Sequence, residues 1–348
     1  MASGLMADGD WTTPGVYEVA DGVHRIPLPL PNDGLRAVNV YAVVDGNGLV
    51  LIDSGWAIPE ARQLLGEGLE ALGCSVLDIH RFLITHVHRD HYTEGIEIRR
   101  EVGTRVSLGE GERASLDLVQ EPGWHPLGPQ LDQLRRYGAG QLVDQVVKGM
   151  LGDRGPEHSE RMAWEYPDDW LEAGELLLSS GRHLEIVETP GHTRGHVVFH
   201  DAAAKLLFAG DHVLPTITPS IGFEPVLSPN PLGDFLGSLA KVRTMPDAML
   251  LPAHGPVAPS VHTRIDELVE HHGRRLEQTQ AAVELGASTA YEAAGELRWT
   301  RRAKALSELD WFNQMLAVAE TGAHLVLLEA QGRVSKVHED GLDHYAPL

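Results

Sequence analysis

Short apolar runs separated by turn residues dominate the first part of the chain and predict β-strands. Residues 16–30 alternate loosely between apolar and polar positions, and the runs at 39–44 and 49–52 flank Asp45-Gly46-Asn47-Gly48. Asp-Gly and Asn-Gly steps between β-branched runs are typical of hairpins. The same reasoning predicts further strands at 82–84, 105–108, 175–178, 183–188, 196–201, 205–209 and 249–251.

Apolar positions at helical spacing predict helices between these strands. They cover 59–72, 93–103 and 231–244, and a longer helical pattern begins near residue 262. Residues 110–172 carry helical patterns that Pro and Gly interrupt, which indicates an inserted helical cap. Because strands, hairpins and helices are mixed along the chain, we expect packed α/β layers rather than a purely parallel sheet.

The last part of the chain has a different pattern. Its helical stretches at 288–297 and 310–321 precede two apolar runs, 323–328 and 334–337, which predict a closing hairpin around Gln331-Gly332. Three helices and a hairpin are typical of a small winged-helix module. We therefore predict a first domain over 1–262, containing the cap at about 110–172, and a winged-helix-like C-terminal domain over 263–348.

Composition is that of an ordinary globular protein. Of 348 residues, 43% are hydrophobic and 22% are charged, which excludes wholesale disorder. No apolar stretch reaches the roughly 18 residues that a membrane-spanning helix needs. Met1 to Asp10 lacks the features of a secretory signal, and a single cysteine, Cys74, excludes an internal disulfide or a cysteine-based zinc cluster. These features predict a cytoplasmic protein that does not act at a membrane.

Charge argues against nucleic acid as a partner. The chain has 28 Lys and Arg against 50 Asp and Glu, a formal net charge of −22, whereas nucleic-acid binders neutralise phosphates with basic residues. The basic run Arg298 to Lys304 is the one local argument for nucleic acid. Residues 263–348 nevertheless hold nine basic and fourteen acidic residues, so we interpret this domain as a packing or dimerisation element, consistent with a homo-oligomer.

The histidines are the residues whose spacing indicates a functional site. The chain has 19, and the segment Thr85-His86-Val87-His88-Arg89-Asp90-His91 follows a predicted strand directly. On an extended or turning backbone, His86 and His88 point to one side while Asp90 and His91 reach another, which suits two nearby metal ions. The alternative, a polar surface loop, is disfavoured by three further candidates beside Gly or Pro at later strand ends: His192, Asp211 and His254.

These residues resemble the signature of the metallo-β-lactamase superfamily. The family pattern is His-x-His-x-Asp-His, a His after Pro-Gly, an Asp after Gly and a final His-Gly, and the resemblance covers about residues 15–260. It implies an αββα sandwich with a glyoxalase II-like catalytic domain, while the tail resembles the winged helix of one subgroup. It also implies that His86, His88 and His192 hold one metal, that Asp90, His91 and His254 hold a second, and that Asp211 bridges them.

The resemblance further implies a role for Asp53, at the end of an early predicted strand, as a residue that orients ligand histidines. Its alternative is to cap the following turn. Asp90 and Asp211 are the candidate catalytic carboxylates. Three neighbours are candidates for substrate binding, each with packing or solvation as its alternative: Tyr92 as a hydroxyl donor, Arg194 as a contact for an anion, and His196 beside a ligand candidate.

The donor set and the resemblance together predict metal-dependent hydrolysis. Imidazole and carboxylate ligands without thiolates suit two divalent ions, Zn²⁺ first, with Mn²⁺ or Fe²⁺ as alternatives. Such a pair generates a bridging hydroxide and polarises a carbonyl. We expect a small acyl substrate, a thioester or a lactone. The alternatives are an endoribonuclease or phosphodiesterase acting on RNA and, in another class, a non-catalytic metal-binding scaffold.

Overall fold

Two large β-sheets, a two-stranded β-hairpin and the helices around them make up the computed structural model, which describes residues 10–31, 33–152 and 164–348. The strands are β1 (Tyr17–Ala20), β2 (Val23–Pro29), β3 (Ala37–Asp45), β4 (Gly48–Ile52), β5 (Ile79–Ile84), β6 (Arg105–Gly109), β7 (Asp169–Leu171), β8 (Gly174–Leu177), β9 (His183–Glu188), β10 (Val197–Asp201), β11 (Leu206–Gly210), β12 (Met249–Pro252), β13 (Val334–Glu339) and β14 (Leu342–Pro347). The α-helices are α1 (Pro59–Ala71), α2 (Arg89–Val102), α3 (Arg113–Val119), α4 (Gly128–Arg136), α5 (Gly140–Gly152), α6 (Pro231–Arg243), α7 (Val261–Glu284), α8 (Ala290–Glu296) and α9 (Trp311–Ala330).

The order of the strands brings several strand ends to one edge of the molecule. The first sheet runs β1 to β7 in sequence, and the second runs β12-β11-β10-β9-β8. β4, β5, β6 and β7 are parallel to one another, as are β11 and β12. Parallel neighbours end at the same edge of a sheet, so the loops that follow them lie close together.

Three apolar cores separate four layers and confirm the predicted αββα sandwich. The core between the sheets contains Tyr41 and Phe208, whose rings pack edge to face at 5.5 Å. The outer face of the first sheet packs on α1 and α2, and the outer face of the second packs on α6, α7 and α9. Burial on both faces explains why central strands such as β4 and β11 are near-continuous apolar runs. Among the described residues, no helix combines the length and the apolar character needed to cross a bilayer.

Helix α2 begins four residues earlier than the predicted helix at 93–103. Asp90 and His91 therefore lie in its first turn rather than in a loop. A carboxylate there is favourable, because the first turn exposes unpaired N–H groups and carries a partial positive charge. The helix ends at Gly103, which adopts a left-handed conformation with φ 78°.

The predicted strand at 323–328 is wrong. These residues belong to α9, a 20-residue helix in which Leu325 and Leu328 are fully buried. Leu and Ala are strong helix formers, and a helix buried on most sides lacks the polar face that would have revealed it. The hairpin is instead β13–β14, with Asp340-Gly341 at its turn, a dipeptide typical of such turns.

The predicted cap divides between two parts of the fold. Its last residues, 169–171, form β7 of the first sheet, so they are not cap. Leu134 of α4 and Val143 of α5 belong to the same apolar core as the C-terminal helices. Residues 153–163 of the predicted cap lie outside the described residues. The division at 262/263 and the winged-helix assignment remain predictions.

Candidate metal centre

Seven side chains from five chain segments meet at the edge where the strands end. His86 and His88 follow β5, and Asp90 and His91 lie in the first turn of α2. The other three occupy the loops after β9, β11 and β12: His192, Asp211 and His254. All of them except His88, which is half-buried, are buried. We call these seven residues the candidate metal centre.

The first group consists of three imidazoles and one carboxylate. The Nδ1 atom of His88 lies 2.9 Å from Nε2 of His86 and 3.2 Å from Nε2 of His192. Oδ2 of Asp211 lies 3.5 Å from Nε2 of His192. One potential ligand atom from each of the four residues falls within 4.8 Å of the others, so a single ion can contact all of them.

The second group lies on the other side of Asp211. Nε2 of His254 is 3.4 Å from Oδ2 of Asp90, and Nε2 of His91 is 3.6 Å from the same oxygen. Oδ1 of Asp211 is 3.4 Å from Nε2 of His254 and 3.9 Å from Nε2 of His91. The two carboxylate oxygens of Asp211 therefore face the two groups separately.

The outward-facing nitrogen of each imidazole has its own hydrogen-bond partner. Nδ1 of His254 donates to the carbonyl of Ala37 at 2.7 Å, and Nδ1 of His192 donates to the carbonyl of Ser220 at 2.8 Å. Since a carbonyl only accepts, the inward-facing Nε2 of each neutral ring keeps its lone pair. Partners of this kind are typical of histidines that bind metals.

The Asp53 carboxylate is the partner of the outward-facing nitrogen of His91. Its Oδ2 accepts from Nδ1 of His91 at 2.9 Å, and its Oδ1 accepts from the backbone N–H of Thr85 at 2.8 Å. Asp53 adopts φ 60°, in the left-handed region that Asp tolerates better than most residues. The carboxylate thereby joins the ends of β4 and β5 to the first turn of α2.

Three inward-facing atoms of the centre are buried without a hydrogen-bond partner: Nε2 of His91, Nε2 of His254 and Oδ1 of Asp211. Buried polar atoms without partners are uncommon in folded proteins and are costly. Nitrogen lone pairs and carboxylate oxygens aimed at one another are the donor set that Zn²⁺ and similar divalent ions take. The residues present therefore fit two such ions.

Electrostatics within the centre keep its carboxylates ionised. Burial alone would raise the pKa of Asp90, but the neighbouring His91 and His254 outweigh that effect and hold this pKa well below its usual range. Conversely, burial lowers the pKa of His91, while Asp53 and Asp90 outweigh it and raise this pKa to about 9. The negative charge among these imidazoles favours a cation, which is a proton on His91 at neutral pH unless a metal ion displaces it.

His196 has a structural position rather than the predicted contact with substrate. It is fully buried, its Nε2 accepts from the backbone N–H of Asp211 at 3.1 Å, and its Nδ1 lies 2.8 Å from Oγ1 of Thr189. A Cβ at Gly210 would lie 2.7 Å from that Nε2, and Gly210 adopts φ 50°. The absence of a side chain at Gly210 therefore allows His196 to hold the backbone that carries Asp211.

The positions of Tyr92 and Arg194 favour the alternatives to substrate binding, which are packing and solvation. Tyr92 is fully buried, and its hydroxyl donates to the carbonyl of Glu165 at 2.5 Å, so it is not free to contact substrate. Arg194 is exposed and lines a cavity of about 420 Å³ together with Glu110, Glu172 and Glu188. Three glutamates around one arginine do not favour an anion.

Sequence analysis missed two buried glutamates beside the centre. Oε1 of Glu224 lies 2.7 Å from Nε2 of His88, and Glu112 accepts a hydrogen bond from the hydroxyl of Thr193. Burial and the nearby Glu224 raise the pKa of Glu112 to about 7. Neither glutamate stands at a spacing that indicates metal chemistry, so no local pattern could have found them.

Comparison with known proteins settles the family. The model of the metallo-β-lactamase superfamily matches residues 33–254, more than half of the chain. The chain belongs to this superfamily. A probable metallo-hydrolase of Bacillus subtilis, YqjP, is 25% identical over 93% of this chain and 97% of its own length. An atrochrysone carboxyl ACP thioesterase of Aspergillus fumigatus is 24% identical over 75% of this chain and 48% of its own length.

Solved structures of superfamily members agree with this fold. A metallo-β-lactamase family protein from Thermus thermophilus, TTHA1429, superimposes with a TM-score of 0.73 at 26% identity, over 95% of this chain and all of the other. A β-lactamase domain protein from Burkholderia ambifaria gives 0.72 at 26% identity, over 100% of this chain and 98% of the other. The metallo-β-lactamase superfamily consists of metal-binding hydrolases, and its ions are typically zinc.

Proposed function

We propose that this superfamily member is a hydrolase of small acyl substrates, a thioester or a lactone, that uses two divalent ions, most simply Zn²⁺. The observation that carries the proposal is the position of Asp211. One of its oxygens faces the imidazoles of the first group and the other faces those of the second. A carboxylate so placed can contact both ions at once, which a site for a single ion does not require.

The residues prepare the site for hydrolysis before substrate arrives. When bound, two close ions polarise a scissile carbonyl and lower the pKa of a coordinated water. Asp90 stays ionised beside His91 and His254, so its carboxylate can accept a hydrogen bond from water and orient it. Asp53 and the carbonyls of Ala37 and Ser220 hold the imidazole rings in place. Such preorganisation reduces the rearrangement that the reaction requires.

An aromatic surface near the centre supports an acyl substrate. Phe223 directly precedes Glu224, and its ring packs edge to face on Phe312 at 5.9 Å. Trp311 and Phe312 are 47% and 42% exposed. Exposed aromatic rings close to a reactive centre suit the apolar part of a substrate better than a phosphate backbone. The name of the Aspergillus fumigatus relative, an ACP thioesterase, supports the thioester, although this chain spans about half of that protein.

The basic run at Arg298 to Lys304 gives little support to RNA as the substrate. Trp299 and Lys304 pair across a short turn, Arg275 stacks on the Trp299 ring at 4.2 Å, and Arg301 donates to the carbonyl of Thr216 at 2.6 Å. Trp299 packs into the core formed by the C-terminal helices, so the one aromatic ring of this run is not free to stack on a base. RNA hydrolysis is therefore an outcome that the experiment must distinguish.

The test is hydrolysis of defined substrates by zinc-loaded protein. Acyl-CoA and acyl-glutathione thioesters are followed by thiol release, and aliphatic lactones by acid release. We expect hydrolysis in at least one of these classes, and D211N should reduce it to background because it removes the carboxylate shared by both groups. The matched control is D343N, which changes a buried aspartate in the C-terminal hairpin and should keep the activity. Protein that binds two ions, hydrolyses neither class and cleaves RNA would overturn the proposal.

A further inference from the structure

The segment between β11 and α6 holds two of the imidazoles in the first group. It contributes the carbonyl of Ser220, which accepts from Nδ1 of His192 at 2.8 Å, and the carboxylate of Glu224, which lies 2.7 Å from Nε2 of His88. Glu224 is only 6% exposed. We call residues 220–224 the clamp segment, because it contacts both imidazoles from the side opposite to Asp211.

The contact with Glu224 decides which nitrogen of His88 faces the centre. The Glu224 carboxylate oxygen accepts from Nε2 of His88, so in the neutral ring the proton lies on Nε2 and Nδ1 keeps its lone pair. Nδ1 is the atom that lies 2.9 Å from His86 and 3.2 Å from His192. If the other tautomer were present, an N–H group would point at two further nitrogens and would exclude an ion.

The clamp segment is seated on the C-terminal helix α9. Gly222 adopts φ 88°, and a Cβ there would lie 2.9 Å from the carbonyl of Ala319. The Phe223 ring packs on Phe312 at 5.9 Å, and the Phe223 carbonyl accepts from Gln130 of α4 at 3.4 Å. The position of Glu224 therefore depends on two helices that contribute no side chain to the candidate metal centre.

We propose that Glu224 is a positioning residue that fixes the tautomer and direction of His88, and that α9 maintains it through the clamp segment, so that one of the two metal positions depends on the C-terminal region. This inference rests on the proposed metal centre. It assigns a role to the C-terminal helices beyond packing. Partners that orient a metal-binding histidine commonly affect metal affinity about 10- to 100-fold when they are replaced.

The test measures zinc affinity by competition with a chelator, together with the visible spectrum of the cobalt-substituted protein. E224Q and E224A should weaken one of the two ions about 10- to 100-fold and change the cobalt spectrum, while the other ion is retained. G222A should weaken the same ion by a smaller factor. The matched control is E329Q, which alters an exposed glutamate near the C-terminal end of α9, away from the clamp segment, and should leave both readouts unchanged.

Each part of the inference can fail by itself. If E224Q and E224A bind both ions with wild-type affinity and an unchanged cobalt spectrum, Glu224 has no positioning role. If only G222A is without effect, the dependence on α9 is wrong. Because these readouts need no substrate, a protein that binds two ions and hydrolyses no acyl compound contradicts the proposed function without affecting the role of Glu224.

Discussion

Two groups of buried histidines in this chain have opposite electrostatic surroundings. In the candidate metal centre, the rings lie among Asp90, Asp211 and Asp53. The second group, which we call the α7–α9 histidine cluster, consists of His271, His272 and His324, together with Glu320 and Arg275. There, Nδ1 of His272 lies 3.2 Å from Nε2 of His324, and the guanidinium of Arg275 lies 3.9 Å from Glu320.

The pKa values follow this difference in charge. Burial lowers the pKa of His254, but Asp211 and Asp90 outweigh that effect and raise this pKa to about 9. Burial also lowers the pKa of His324, and the positive Arg275 lowers it further, to about 4. His254 and His324 are equally buried, yet their pKa values shift in opposite directions according to the charges beside them. Histidine count and geometry alone do not distinguish them, since His271, His272 and Glu320 also have potential ligand atoms within 4.8 Å of one another.

The largest effect that separates the two groups concerns stability in acid. Burial lowers the pKa of His324 from about 6.5 in the unfolded chain to about 4 in the folded protein. The unfolded state therefore binds a proton first as pH falls, so the free energy of unfolding decreases progressively between these values, by about 3 kcal/mol for this group. Urea unfolding of the wild type and H324Q between pH 7 and 4 measures it. In H324Q, the slope of the free energy of unfolding against pH should be smaller, corresponding to about one proton fewer taken up on unfolding.

The contrast between the two histidine groups is contradicted if the free energy of unfolding of H324Q depends on pH as strongly as that of the wild type. It also breaks if H324Q loses zinc at neutral pH, because the α7–α9 histidine cluster should not contribute to metal binding. Protein concentration and zinc occupancy need to be held constant across the series, since bound ions stabilise the folded state by themselves.

A smaller effect is expected when Asp53, whose carboxylate accepts from Nδ1 of His91, is replaced by an uncharged residue. D53N leaves an amide opposite Nδ1 of His91 and the N–H of Thr85, so the ring loses its charged partner. We expect one zinc ion to bind about 10- to 100-fold more weakly, measured by chelator competition. This ion should be the one that E224Q leaves in place. D45N is the matched control, because Asp45 is a buried aspartate in the same sheet that accepts from Ser180; equal losses in both variants would contradict the prediction.

The smallest effect is expected at His271. This residue tests whether closely spaced potential ligand atoms are sufficient to bind a metal ion. Although His271 belongs to a group of potential ligands, Arg275 already places a positive charge beside Glu320. H271A should therefore keep the zinc stoichiometry and the rate of hydrolysis of the wild type. Loss of one zinc ion per chain, measured by elemental analysis, would show that the α7–α9 histidine cluster holds a metal after all.

The strand-end residues could be predicted from sequence because their signals are local. His86, Asp211 and His254 each follow an apolar strand within a few residues, and neighbouring strands end at one edge. Likewise, the hairpin at Asp45 to Gly48 has exactly paired ends in the structure, as its turn residues indicate.

The parts that sequence could not predict depend on distant or cooperative contacts. Glu224 meets His88 across 136 residues, from an irregular segment with no periodic pattern. Sequence alone left Tyr92 and His196 as candidates for either substrate binding or packing, because neighbours on a helix or strand face different directions. The run at 323–328 has the composition of a buried strand or a buried helix, and only packing against neighbouring helices such as α7 and α8 decides between them.

Anomalous X-ray diffraction at the zinc edge, on crystals of zinc-loaded protein, tests the central claim most directly. The account predicts two peaks separated by Asp211, one beside His88 and His192 and the other beside His91 and His254, and no peak at the α7–α9 histidine cluster. A single peak in the centre would contradict the bridging role of Asp211. A peak beside His272 and Glu320 would contradict the view that surrounding charge, rather than geometry alone, separates the two groups of histidines.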